Sequence, residues 1–302
     1  MTHFIIDPAT TMGTVYLTIT SMDRALRFYV DILGFRPQAR QTGIVALTAD
    51  GETPLIVLRA QPAARPRAQR TTGLYHIALL VPSRAELGRT LLQLVEAEYP
   101  LQGAADHLVS EALYLADPDG NGLEIYRDRP RAEWPVQNGQ VRMATDPLDA
   151  KGVVEAGRSE ARAWNGIAPG TRIGHMHLQV SGLRAAEQFY VDGLGFGLMQ
   201  RFAPSALFVA AGGYHHHLGM NTWNSLGAPP TPPDAVGLRH LTIQLPDEAA
   251  CARVVQHVQA QGFPVRAAAG AWWLTDPASG AGVILVAGRT PPAVEDLAAA
   301  AA

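Results

Sequence analysis

Two stretches of the chain carry an apolar-rich strand pattern, with a period of two plainest over Leu241–Leu245, and then stop at proline. They are Leu74–Val81 before Pro82 and Leu238–Leu245 before Pro246. That period belongs to a strand with one covered face. Each strand runs into a helical pattern. In the first, Ser83 and Glu86 stand at capping-box spacing, and Leu87, Leu91, Leu94 and Val95 fall on one predicted helix face. Each stretch closes with a turn and another strand: Asp117–Gly122 into Leu123–Tyr126, and Asp276–Gly282 into Val283–Val286. Asp, Pro, Asn and Gly in those turns supply the backbone angles that reverse a chain.

The chain also repeats. Phe28-Tyr29-Val30-Asp31-Ile32-Leu33-Gly34-Phe35 recurs as Phe189-Tyr190-Val191-Asp192-Gly193-Leu194-Gly195-Phe196, an offset of 161 residues. The same offset aligns Gly13–Leu17 with Gly174–Leu178 without a gap. Self-similarity of this kind marks a duplicated structural unit. The unit is strand, helix, then three strands, used four times, at 12–61, 72–128, 172–224 and 236–289. The fold class is α+β. Residues 1–128 and 172–302 form two candidate domains, joined by a long connection over 129–171. That connection carries Trp134, Trp164 and one predicted short helix near Leu148–Val154. Its two tryptophans imply that it packs against the body.

Composition narrows the function classes. The net charge of −3 over 302 residues includes no concentrated basic face, which excludes nucleic acid as the expected partner. Arg65, Arg67 and Arg70 are sparse and interrupted by proline, as in a solvated loop. No apolar run reaches the ~18 residues that span a bilayer, and Met1–Pro8 lacks the pattern of a secretion signal. The single cysteine, Cys251, excludes an internal disulfide and suits a cytoplasmic protein; its helical setting fits a buried structural thiol. The oligomeric state stays open, a homo-oligomer included.

The Phe-Tyr-x-Asp-x-Leu-Gly-Phe block and the Asp-Pro-x-Gly-Asn turn before a Glu-bearing strand together resemble the vicinal oxygen chelate superfamily. That superfamily holds glyoxalases, extradiol dioxygenases and bleomycin- or fosfomycin-resistance proteins, and the likeness covers all four modules. More narrowly, Asp106–Tyr126, Met143–Thr145 with Pro147–Asp149, and Gly213–His217 resemble the two-domain bacterial catechol 2,3-dioxygenases. The resemblance implies modules paired into two cup-shaped incomplete β-barrels with helices outside. It also implies a metal held by a first-strand His of one module, with a first-strand His and a last-strand Glu of its partner.

On that pattern the first-strand positions hold Thr14, His76, His175 and His240, and the last-strand positions of the even modules hold Glu124 and Ile284. Pairing modules in chain order leaves both cups incomplete. Pairing the second with the third, and the first with the fourth, gives His76, Glu124 and His175 in one cup and the inert set Thr14, His240 and Ile284 in the other. Cross-pairing is therefore expected, with a His175, His240 and His217 set as the alternative. Each histidine alone reads more readily as a satisfied core residue, and Glu124 alone as an exposed strand acid; the joint fit decides.

The resemblance further implies that Tyr114 hydrogen-bonds a substrate oxygen beside the metal. Extending the period of two back from Leu218 and Met220 turns His215 and His217 into the cup as acid–base candidates, and leaves His216 a structural role. His107 falls near the pocket mouth, and His177 shares a face with His175. The implied activity is extradiol ring cleavage of a small aromatic diol with O2, using Fe(II), with Mn(II) as the alternative metal. The rival classes are a glyoxalase-like isomerase or lyase, which wants a second carboxylate, and a drug-binding protein, which needs no metal set.

Overall fold

The computed structural model describes residues 4–137, 140–159, 163–202 and 204–288. The last residue of the fourth predicted module and the chain end to 302 lie outside the described residues. The first module comprises β1 (Thr11–Ile19), α1 (Met22–Leu26), β2 (Arg36–Gln41), β3 (Ile44–Thr48) and β4 (Pro54–Ala60). The second comprises β5 (Gly73–Leu80), α2 (Arg84–Glu96), β6 (Gly103–Asp106), β7 (Ser110–Ala116) and β8 (Gly122–Asp128). The connection contributes β9 (Val136–Gln137), β10 (Gln140–Val141) and α3 (Ala150–Ser159). The third module has β11 (Arg172–Gln179), α4 (Leu183–Glu187), β12 (Gly197–Phe202), β13 (Ala206–Ala210) and β14 (Leu218–Asn221). The fourth has β15 (Gly237–Leu245), α5 (Glu248–Ala260), β16 (Arg266–Ala268), β17 (Ala271–Thr275) and β18 (Gly282–Ala287).

These strands make two eight-stranded sheets, ordered β16-β17-β18-β15-β1-β4-β3-β2 and β12-β13-β14-β11-β5-β8-β7-β6. Each sheet takes one module from either side of the long connection. The second module joins the third and the first joins the fourth, through the antiparallel central pairs β5/β11 and β1/β15. Each sheet curls around a cavity, with the helices outside.

The repeated Phe-Tyr block has a physical role. In the first and third modules the helix widens into a π-helical turn over Arg27–Ile32 and Gln188–Gly193. The wider turn buries both aromatic residues of each block, Phe28 with Tyr29 and Phe189 with Tyr190. The Tyr29 hydroxyl then donates to Asp117 Oδ2 at 3.1 Å, and the Tyr190 hydroxyl to Asp276 Oδ2 at 3.1 Å. Each phenol thereby pins the Asp-Pro turn of the next module in sequence. The pins hold neighbours in the chain together, while the sheets join modules across the connection.

The connection packs as expected, with differences in detail. Trp134 is buried and Trp164 half-buried. The helix runs over Ala150–Ser159, later than the predicted Leu148–Val154, because the Asp149 carboxylate accepts from the Gly152 amide at 3.0 Å and so sets the first turn. It lies against α2 at a glycine-on-glycine contact: a Cβ on Gly88 would stand 2.1 Å from the Val153 carbonyl oxygen and 2.6 Å from the Gly157 nitrogen. Leu87, Leu91 and Leu94 are buried as predicted, but Val95 is 65% exposed, since α2 turns its last residues past the sheet. Arg65 and Arg67 are not simply solvated. Arg65 pairs with both oxygens of Asp234, and the Arg67 guanidinium donates to the Thr71 and Leu74 carbonyls and to Gln179. Among the described residues, no helix is long and apolar enough to cross a membrane.

Candidate metal centre

Register alone assembles the centre of the second sheet. Antiparallel β5/β11 sets His175 opposite Ala78 and His177 opposite His76. Parallel β5/β8 sets Ala78 beside Glu124, and antiparallel β7/β8 sets Glu124 beside Tyr114. His175, Ala78, Glu124 and Tyr114 thus form one row across four strands, with His76 on the same face two residues along β5. The methyl of Ala78 is short enough for His175 and Glu124 to meet above it. Glu124 Oε2 lies 3.1 Å from His175 Nε2 and 2.9 Å from His76 Nε2. One donor atom from each of these three buried residues falls within 4.8 Å of the others.

Burial by itself would push the Glu124 carboxyl up, but His175 and His76 beside it hold it well below the usual carboxylate range. Burial drives His175 down to about 4, so at neutral pH its ring is neutral and keeps a lone pair. His76 Nε2 is buried and makes no hydrogen bond, despite standing 2.9 Å from the carboxylate. A carboxylate anion, two imidazoles and an orphaned buried nitrogen form the donor set of a divalent metal with open positions. The buried His-Glu-His triad fits such an ion.

A cavity of about 400 Å³ opens on this triad. His76 and Glu124 of the triad line it, but His175 does not; Tyr114, His107, His177 and His216 are also in the lining. Tyr75, Phe208 and Trp223 supply aromatic walls, and the connection contributes Met143 to Thr145. His107 Nδ1 faces the Ala144 carbonyl oxygen at 2.6 Å, so Nδ1 is the donor there. That fixes His107 Nε2 as acceptor for the Tyr114 hydroxyl, 2.6 Å away. Burial, with the Glu124 charge, holds the Tyr114 phenol well above its ordinary range and therefore protonated. Beneath the site, buried Glu111 accepts from Arg84, Arg127 and Arg129, tying β7 and β8, which carry Tyr114 and Glu124, to α2.

The histidine triplet is arranged differently from its period-two extension. His216 lines the main cavity. His215 lies behind it, with Nε2 3.0 Å from Asp128 Oδ1. His217 lines a separate pocket of about 170 Å³ beside Arg131 and Arg172, and its Nδ1 accepts from the Ala211 amide at 3.1 Å. The physical reason is that β14 starts only at Leu218, and the preceding residues form bends in which alternation does not hold. His240 sits in the other sheet opposite Tyr16, so the alternative His175, His240 and His217 set is not brought together. The closure of His107 on Tyr114 had no signal in the sequence beyond their nearness. Cys251 is buried in α5, where burial raises its thiol to about 11, as befits a structural residue.

The chain matches the model of the glyoxalase/bleomycin resistance protein/dioxygenase superfamily over residues 10–125 and 172–275. It is 42% identical over 280 residues to a catechol-2,3-dioxygenase of Bacillus subtilis strain 168, covering 92% of this chain and 97% of that protein. A solved structure from Bacillus subtilis subsp. subtilis strain 168 superposes with a TM-score of 0.62 at 13% identity, over 95% of this chain and 88% of its own. Glyoxalase I of Zea mays superposes with a TM-score of 0.56 at 13% identity, over 97% and 95% of the two chains. At that identity the two structures speak for the fold alone.

Proposed function

Because the chain belongs to the glyoxalase/bleomycin resistance protein/dioxygenase superfamily, we propose that it is an extradiol ring-cleaving dioxygenase, acting on a catechol-type diol with O2 and Fe(II) held by His76, His175 and Glu124. The observation that carries this reading is the buried His-Glu-His cluster open to a cavity beside Tyr114, in a chain 42% identical to a catechol-2,3-dioxygenase over nearly its whole length. Fe(II) bound there would supply a chelation point for two vicinal oxygens and a path for electrons between ring and dioxygen.

The chain's own residues supply the rest. Glu124 contributes the one carboxylate charge in the cavity lining among the described residues, which leaves a glyoxalase-like reaction without its second acid. The cavity volume falls within the ~300–1,000 Å³ usual for small-ligand sites, and its Tyr75, Phe208 and Trp223 walls take a flat ring and displace water. Tyr114 directs its hydroxyl to the diol oxygen next to the triad, and His107 Nε2 accepts the proton that the phenol passes on. His177 and His216, which burial holds well below the ordinary imidazole range, stay neutral and act as polar neighbours in place of fixed charges. A single buried cysteine accords with a cytoplasmic setting.

The test is direct. Protein purified without oxygen and reconstituted separately with Fe(II), Mn(II) and Zn(II) is given catechol in air. The expected product carries the mass of catechol plus both atoms of O2, with Fe(II) giving the highest rate. No ring-opened product with any metal, from folded protein, would refute the proposal.

A further inference from the structure

The two sheets are related position by position, so the cup formed by the first and fourth modules can be read against the metal centre. His240 stands opposite Tyr16 as His76 stands opposite His177. Thr242 lies beside Ile284 as Ala78 lies beside Glu124. Trp273 pairs with Ile284 as Tyr114 pairs with Glu124. Every metal-binding feature except one imidazole is gone. The acid is isoleucine, and Thr14 turns its hydroxyl onto the Pro54 carbonyl at 2.8 Å. Tyr16, Ile44, Val57, Trp273 and Ile284 form an apolar cluster there instead.

That cup has nevertheless not filled in. It encloses about 630 Å³, against about 400 Å³ at the metal centre. A site that had merely decayed would be expected to collapse, because voids forfeit packing energy. Tyr16 and His240 line the space with their rings, while the Tyr16 hydroxyl and both His240 nitrogens are buried away from it without partners. The lining includes two guanidinium groups, Arg59 and Arg239, and no carboxylate among the described residues. Arg239 is held by Thr18 Oγ1 at 2.8 Å and by backbone carbonyls, none of which neutralises it. Asp234, the acid nearest in charge to Arg239, is already paired with Arg65.

We propose that this second cup is a metal-free binding site for a small aromatic carboxylate. The carboxylate sits against Arg59 and Arg239, and the ring lies over the apolar cluster around Tyr16 and Val57. The inference does not depend on the reaction at the other cup.

Isothermal titration of iron-loaded protein under nitrogen with 4-hydroxybenzoate, and with the neutral 4-hydroxybenzamide, tests it. The expected result is one saturable site for the acid at about 1 mM or tighter, with the amide at least about tenfold weaker. Arg59→Gln, on an exposed strand position that folding tolerates, weakens the acid about tenfold. So does Arg239→Gln, which removes the second guanidinium charge. Glu124→Gln leaves this binding unchanged, and Arg59→Gln leaves catechol turnover unchanged, which separates the two cups. Absence of binding overturns the proposal. So does equal affinity for acid and amide, or binding lost in Glu124→Gln but kept in Arg59→Gln and Arg239→Gln.

Discussion

Tyr114→Phe removes one oxygen from the cavity wall and little else. The ring stays on β7, where it lies 5.6 Å centroid to centroid from His76. The hydroxyl it loses is the one 2.6 Å from His107 Nε2, and His107 is fixed as an acceptor by its other nitrogen on Ala144. If that pair relays a substrate proton, kcat should fall by about 10²-fold, the usual worth of a positioned acid or base. That equals about 2.7 kcal/mol on the barrier. Loss of one neutral hydrogen bond costs the fold only ~1 kcal/mol, and bound iron should be unchanged because the phenol is not a ligand. His107→Gln offers an oxygen in place of the imidazole but no proton acceptor of similar strength, so its loss should match. Two residues acting as one relay are non-additive, so the double variant should be no slower than either single one. Oxygen-uptake kinetics on iron-quantified protein give kcat and KM for all three. A wild-type kcat in Tyr114→Phe, or strictly additive losses in the double variant, would refute the relay.

Glu124→Gln keeps volume and removes the anion, so folded protein should bind iron weakly and lose at least about 10²-fold in turnover; full activity at saturating iron would remove Glu124 from the centre. His240 is held at about 4 by burial against an ordinary 6.5, so unfolding takes up a proton between those values. Stability is then full above about pH 6.5 and falls as pH drops towards 4. His240→Gln should flatten the dependence of urea unfolding on pH by about one proton, roughly 1 kcal/mol per pH unit in that window, and an unaltered slope would contradict the burial of a neutral ring. Gly88→Ala places a Cβ against the Val153 carbonyl and Gly157 backbone, so overpacking should cost about 1–3 kcal/mol and lower the melting temperature by several degrees; no change would mean that α2 and α3 do not meet as described.

What the sequence made legible is what repeats or alternates. The 161-residue offset and the strand-helix-turn order place nearly every strand. The triad followed from first- and last-strand positions, because a strand with fixed register states which face each residue takes. The triplet His215 to His217 was illegible for the converse reason: β14 begins after it, and no period governs a bend. His107 was out of reach because its partner Ala144 lies in the connection, 37 residues on, where no periodicity sets distance. Val95 fits the helical stripe of α2, but an amphipathic pattern cannot say where the sheet beneath the helix ends.

The two cups have the same register and opposite chemistry at one position, and that position explains the asymmetry. A carboxylate buried at the centre of a sheet costs several kcal/mol in lost hydration. His175 and His76 beside Glu124 already favour its charged form, and a divalent cation would favour it further. Glu124 keeps its charge through those two neighbours, whereas Ile284, wholly buried at the matching place, stands where His240 is the one imidazole left. Cross-pairing confines such a loss. The acid of each cup lies in an even module, and its partner histidine comes from the other side of the connection. Replacing the acid of the fourth module therefore disarms only the cup it shares with the first, and leaves His76, Glu124 and His175 intact. The same arrangement makes the surviving ion a cross-link. It would join β5 and β8 from before the connection to β11 from after it, at the strand pair that holds the sheet together. Metal binding and the docking of the two halves of the sequence are then one equilibrium, so whatever loosens β5 from β11 must also weaken the metal.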